Sequence, residues 1–187
     1  SDSVIDLSTQ EGISEHYDFD ELEIDDLIEE IGLTLEQLII DNPLAASIAE
    51  EIGIQIPFPN EQQIPGSAFN LLSMIDIGET QMELDEYSEI SFITGELSVG
   101  IVNNLPITIE NLELDLSTGA GNVGLFQFSQ IETGQTQYLS TDLSGSTIDN
   151  NVSVDFSDLT LEEVDNFAEF TITPESGITV FFQINNI

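Results

Sequence analysis

Residues 97–116, LSVGIVNNLPITIENLELDL, decide how the chain is read. Leu97, Val99 and Ile101 alternate with polar or small residues, as do Leu112, Leu114 and Leu116. That period of two is the mark of half-buried β-strands. Asn103-Asn104-Leu105-Pro106 separates the two runs and predicts a turn or a crossing point. Ile107 and Ile109 sit one residue out of phase with Leu112, Leu114 and Leu116. A period-2 pattern that slips by one predicts a β-bulge near Glu110-Asn111.

The same alternation runs outward from this stretch. Towards the C-terminus, Ser117–Asn122 reads as a glycine-rich hairpin loop and Val123–Phe128 as a strand. A turn at Ile131–Gly134 leads to Thr136–Leu143, then a turn through Gly145 to Ile148. Val152, Val154 and Phe156 alternate again. Phe167–Ile172 and Ile178–Ile184 flank Pro174-Glu175-Ser176-Gly177, which reads as a hairpin turn. Met82, Leu84, Ile90, Phe92 and Ile93 extend the pattern towards the N-terminus. Short strands with regular turn signals predict an antiparallel β-sandwich or barrel over residues 80–187.

Residues 54–79 read as a proline-containing connector. Pro57, Pro59 and Pro65 argue against helix, and Phe69, Leu71, Leu72, Met74, Ile75 and Ile77 are expected to be buried against the sheet. Residues 19–53 read as short helices. Leu22, Ile24, Leu27, Ile28 and Ile31 share a helical face that Gly32 ends. Thr34 with Gln37 forms a capping box for Leu35–Asp41. Asn42-Pro43 supplies an N-cap and an N1 proline for Leu44–Ile52, with Gly53 as the stop. Residues 1–18 read as an acidic arm. The expected fold is therefore mainly β, an antiparallel sandwich carrying a short acidic α-helical N-terminal segment.

Composition bounds the chemistry. The 187 residues contain 37 Asp and Glu, a single His and no Lys or Arg, for a formal charge of −37. Typical usage puts Lys or Arg at about one position in eight, so this absence is not chance. No carboxylate can pair with a Lys or Arg of its own chain, and self-repulsion must be relieved by screening or bound cations. Nucleic acid and anionic membrane surfaces are disfavoured as partners. A protease that cuts after Lys or Arg finds no site. There is no Cys, so disulfides and thiolate metal sites are excluded. No apolar run reaches the roughly 18 residues that span a membrane. No leader is visible at Ser1, so an extracellular setting implies one already removed.

Candidate sites are few. His16 is the only imidazole, and no G-x-S-x-G accompanies it, so a serine triad is not expected. Carboxylate pairs abound, but without Trp and with only three Tyr the aromatic platforms of a glycosidase are missing. The chain is expected not to be an enzyme and to need no organic cofactor. Hard cations suit its oxygen donors best. The clusters Asp18, Asp20, Glu21, Asp25, Asp26 and Glu83, Asp85, Glu86, Glu89 are candidate calcium ligands, and they also read as acids screened diffusely by counterions.

The run Asn103–Ile109, with Gly124-Leu125-Phe126 and Ile131-Glu132-Thr133-Gly134-Gln135-Thr136, resembles the immunoglobulin-like domain of the group 2 late-embryogenesis-abundant, or water-stress, family. Together with Asp142–Ile148 it is also similar to β domains of Bacteroidetes-type secreted and outer-membrane-associated proteins. The resemblance covers about residues 90–156. It implies an immunoglobulin-like, non-catalytic β-sandwich in an envelope or extracellular setting, and it carries over no functional residue.

These readings converge on a structural or interaction protein, a subunit or accessory of a bacterial cell-surface assembly. It would contact a protein partner, or itself in a filament, through strand edges. The terminal strand Gly177–Ile187 either closes its own sheet or pairs with a neighbour. A plug-like accessory of an outer-membrane machine, a calcium-dependent adhesion module and an acidic DNA mimic are the alternatives.

Overall fold

The chain folds back on itself as one long antiparallel ribbon whose tip is Gly119-Ala120. A computed structural model describes residues 28–74, 76–83 and 88–185. In chain order the elements are β1 (Ile28–Thr34), α1 (Leu35–Asp41), α2 (Pro43–Ile52), β2 (Gln62–Pro65), α3 (Gly66–Leu72), β3 (Gly78–Glu83), β4 (Glu89–Ser91), β5 (Glu96–Asn103), β6 (Ile109–Thr118), β7 (Gly121–Ile131), β8 (Thr136–Asp142), β9 (Thr147–Asp149), β10 (Asn151–Leu161), β11 (Glu169–Ile172) and β12 (Gly177–Asn185). Every strand of the first half pairs with its mirror in the second: β1 with β12, β2 with β11, β3 with β10, β4 with β9, β5 with β8, β6 with β7.

Wrapping this ribbon brings β12 beside β5 and β10 beside β6. Two four-stranded sheets result, ordered β1-β12-β5-β8 and β3-β10-β6-β7. Their inner faces share one apolar core: Leu97, Val99, Ile101, Val180 and Phe182 from the first sheet, Leu112, Leu114, Phe126, Val154 and Phe156 from the second. The short pairs β2·β11 and β4·β9 sit where the ribbon leaves one sheet for the other. Eight strands in this nested order make the double Greek key of a jelly roll. The immunoglobulin order implied by the resemblance does not hold, because its sheets group strands differently.

The organising stretch is a crossing point. β5 and β6 lie in different sheets, and Asn103, fully buried, ties the corner between them. Its Nδ2 donates to the carbonyls of Ile107 and Ile131, both at 2.8 Å. Its Oδ1 accepts from the Leu105 N–H at 2.9 Å. Its own N–H donates to the Gln135 carbonyl at 3.0 Å, and its carbonyl accepts from Gly134 N–H at 2.7 Å. Asn103 thus satisfies a corner that has no strand ladder.

The expected bulge is present, and it spans three strands. The inward set on β6 moves from Ile109 to Leu112. On β7 it moves from Phe128 to Ile131, with Gln130 at φ 53°. On β10 the register against β6 shifts on either side of Thr160, and Asp158 takes φ 50°. Each strand slips where its neighbour does, so the apolar face stays continuous. On the first sheet the ring of Tyr138 covers Gly100, its cross-strand partner, where a Cβ would collide with it.

Several expectations are corrected. The helix foreseen through Ile28 and Ile31 is strand β1, because Ile31 and Leu33 pair with Val180 and Ile178 of β12 and pack on the core. Leu22, Ile24, Leu27, Leu84 and Ile75 lie outside the described residues. The connector 54–79 holds β2 and α3; Pro65 starts α3 instead of preventing it. Pro174–Gly177 does not close a hairpin, since β11 pairs with β2 while β12 enters between β1 and β5. The turn is held by Ser176, whose Oγ accepts from Thr173 N–H at 2.9 Å and whose carbonyl accepts from Leu35 N–H at 2.7 Å. β12 is paired on both edges, so it closes its own sheet. Ile93 is exposed.

The helices α1 and α2 form as the sequence implies. Thr34 Oγ1 accepts from Gln37 N–H at 3.2 Å. The Gln37 side chain turns to Asp41 at 2.7 Å instead of completing the capping box. Asn42 Oδ1 accepts from Leu44 and Ala45 N–H, each at 3.1 Å, and Gly53 ends α2 at φ 81°.

Two predictions follow from the corners. Asn103→Ala strips partners from two buried carbonyls and one N–H, and is expected to cost about 3 kcal/mol in urea unfolding; Asn103→Asp should cost at least as much, since a donor becomes an acceptor facing carbonyl oxygens. At the β8–β9 turn, Asp142 Oδ1 accepts from the Ser144 hydroxyl at 2.6 Å and its N–H at 2.8 Å. These bonds hold the Asp142 carboxyl below the ordinary aspartate value. Its contribution to stability is therefore present above the unfolded pKa and is lost as pH falls through the lower, folded one. Carboxyl NMR titration should show Asp142 deprotonating below its Ser144→Ala counterpart.

Candidate functional site

Between β1 and β2 one arm of the ribbon carries α1 and α2, while the other arm passes directly from β11 to β12. This insertion, with α3, builds the candidate site. In α2, Ala45 and Ala49 are buried, and small side chains there let the helix lie close to its support. Leu44, Ile48 and Ile52, spaced four residues apart, line an apolar groove on its outward side. Ala68 and Leu71 of α3, with Met74 beyond it, form the facing wall. The groove encloses about 160 Å³.

The facing wall is anchored. Asn70 Nδ2 donates to the Val164 carbonyl at 2.8 Å and to Asn166 Oδ1 at 2.9 Å, and Asn70 Oδ1 accepts from Val164 N–H at 3.2 Å. Phe69, fully buried, meets Phe170 edge-to-face at 5.4 Å. α3 is thereby fixed to the opposite arm of the ribbon. Met74 is nonetheless 81% exposed, Leu44 70% and Leu71 41%. The expected burial of Leu71 and Met74 is wrong for this reason: α3 uses Phe69 and Leu72 as its core face and turns Leu71 outward.

A second cleft, of mixed polarity with Leu33, Leu38 and Ile77 in its lining, adjoins the groove through a shared wall at Asn42. It encloses about 120 Å³, and Asp41 and Asp76 line it. Asp41 Oδ1 accepts from Gln37 Nε2 at 2.7 Å, and Asp76 Oδ1 accepts from Gly78 N–H at 3.0 Å, which fixes both carboxylates. A wider polar depression lies over the bulge on the second sheet, lined by Asn111, Glu113, Gln127 and Asp158. Its Glu113 already accepts from Gln127 Nε2 at 2.7 Å and from Ser157 Oγ at 3.2 Å.

Of the calcium candidates, Asp18, Asp20, Glu21, Asp25, Asp26, Asp85 and Glu86 lie outside the described residues, as does His16. Glu83 ends β3 opposite Asn151, and Glu89 begins β4 opposite Asp149. Among the described residues, no group of three or more His, Asp or Glu could hold a metal ion. No described helix is long and apolar enough to cross a membrane.

The groove was not singled out from sequence. Residues 42–49, NPLAASIA, and 62–75, QQIPGSAFNLLSMI, carry no acid, but neither do 97–109 and 116–131 on the sheets, so a missing charge alone does not point to the site. The first two runs supply most of the two walls, with Ile52 added beyond Glu50 and Glu51.

No protein-family model and no curated protein matches the chain. Among solved structures it is similar to a carbohydrate-binding module from Cellvibrio mixtus lichenase 5A, solved in complex with cellotriose, at 14% identity and a TM-score of 0.33, covering 74% of this chain and 94% of that one. It is also similar to the coat protein of Tobacco streak virus, at 13% identity and a TM-score of 0.26, covering 71% and 92%. Both are distant likenesses, and the groove is read from this chain alone.

A dye that brightens on leaving water should report the groove. Leu44→Glu and Met74→Glu, both at exposed positions, are expected to abolish most of its fluorescence while leaving the circular dichroism spectrum unchanged.

Proposed function

We propose that this chain is a non-catalytic interaction module of the cell envelope or extracellular space, an accessory or subunit of a bacterial surface assembly, and that the α2–α3 groove is its contact face. The observation that carries this reading is an open apolar groove on a chain of charge −37. A net charge of −37 keeps the molecule soluble, and an open apolar groove on its surface is best explained by a partner that covers it. The pairing of β12 on both edges favours contact through the groove over exchange of the terminal strand. A chain without Lys or Arg resists trypsin-like proteases, which suits an extracellular setting.

A photo-crosslinking residue at position 44, introduced into the protein in its producing cell, tests the reading. One discrete adduct is expected in the envelope or extracellular fraction, with none from the same probe at the exposed Tyr138 on β8. Absence of an adduct at 44, or equal labelling at both positions, would falsify it. Fibres in electron micrographs that form only with calcium would replace it with cation-driven adhesion.

A further inference from the structure

We propose that the groove and the Asp41–Asp76 cleft together dock a basic amphipathic helix of a partner protein; the inference rests on the reading of the groove as a contact face.

The walls decide the shape of the occupant. Both sides of the groove are helical, and backbone groups within a helix are already bonded. An extended peptide laid there would find no ladder to join, and the N–H and C=O groups it turned toward the apolar floor would lose their partners. An occupant that satisfies its backbone internally is a helix. Leu44, Ile48 and Ile52 form a stripe about 12 Å long, which matches about two turns of a packed helix. The occupant's apolar face supplies the knobs that fill the space between α2 and α3.

The adjoining cleft decides its charge. Asp41 and Asp76 stand beside the groove, across the Asn42 wall. Each is oriented by one neutral donor, and a carboxylate offers about four acceptor sites, so both can accept more. No Lys or Arg of this chain can neutralise them. A Lys or Arg flanking the apolar face of a docked helix reaches this cleft and forms charge-assisted hydrogen bonds there. The field of the whole molecule draws cationic partners to the surface and repels anionic ones, membranes included.

The test uses synthetic helices as probes: a Leu/Lys amphipathic peptide of about four turns, a scrambled peptide of the same composition, and a Leu/Glu amphipathic peptide. Binding is measured by calorimetry at low and high salt, with the full chain, the double variant Leu44→Glu/Met74→Glu and the double variant Asp41→Asn/Asp76→Asn. The Leu/Lys helix is expected to bind about tenfold more tightly than its scramble. Leu44→Glu/Met74→Glu should weaken it about tenfold although the protein becomes more negative, which attraction by diffuse charge cannot produce. Asp41→Asn/Asp76→Asn should weaken it and flatten its salt dependence.

Equal binding of the scramble, or tighter binding by the Leu44→Glu/Met74→Glu variant, overturns the proposal in favour of diffuse attraction. Equal binding of the Leu/Glu helix overturns the basic partner and leaves the groove as a contact face. If no helix binds while position 44 still crosslinks in the cell, the helix proposal alone falls.

Discussion

A ribbon that passes repeatedly between two sheets must break its hydrogen-bond ladder at every corner, and a buried backbone group without a partner is costly. This requirement shapes the whole molecule. At two corners the ladder is kept by short two-stranded pairs, β2·β11 and β4·β9. At the third, between β5·β8 and β6·β7, the described residues form no such pair, and the side chain of Asn103 supplies hydrogen bonds there. A primary amide suits the task because it donates twice and accepts within one planar group. Asn103 thereby ties the end of β5 in one sheet to the segment leading into β6 and the end of β7 in the other.

Charge imposes a second constraint. With no cation available from Lys or Arg, carboxylates are held by neutral donors. Glutamine and asparagine amides hold Asp41, Glu113 and Asp115; the Ser144 hydroxyl and N–H hold Asp142; the Phe58 N–H donates to Glu36. Such bonds orient the acids without cancelling their charge. The surface is therefore ordered and still strongly negative, the condition under which an uncharged groove stands out as a place of contact.

Much of the fold was legible in short-range pattern. The alternation in β5, β6, β10 and β12, the slip at Glu110-Asn111, and the caps at Thr34, Asn42 and Gly53 all reflect local stereochemistry. What was not legible depends on distant partners. Ile28–Thr34 reads equally as helix until β12 is present to pair with it. Leu71 and Met74 read as core because their polarity says nothing about which face of α3 turns inward. The nested order of strands, and so the jelly roll, is carried by pairings between the two ends of the chain, which no window of sequence contains. Of the site, the two acid-free runs were visible, but their meeting was not.

The nesting also bears on how the molecule is made. Closing β1 on β12 first would enclose nearly the whole chain in one loop, whereas closing from the Gly119-Ala120 tip outward brings together segments already made neighbours by the previous pair. Assembly by that route would resemble a zip, with β2·β11 and β1·β12 as its last teeth. The two walls of the groove flank β2, α2 before it and α3 after it. On a route that closes from the tip outward, the groove is among the last surfaces to be assembled.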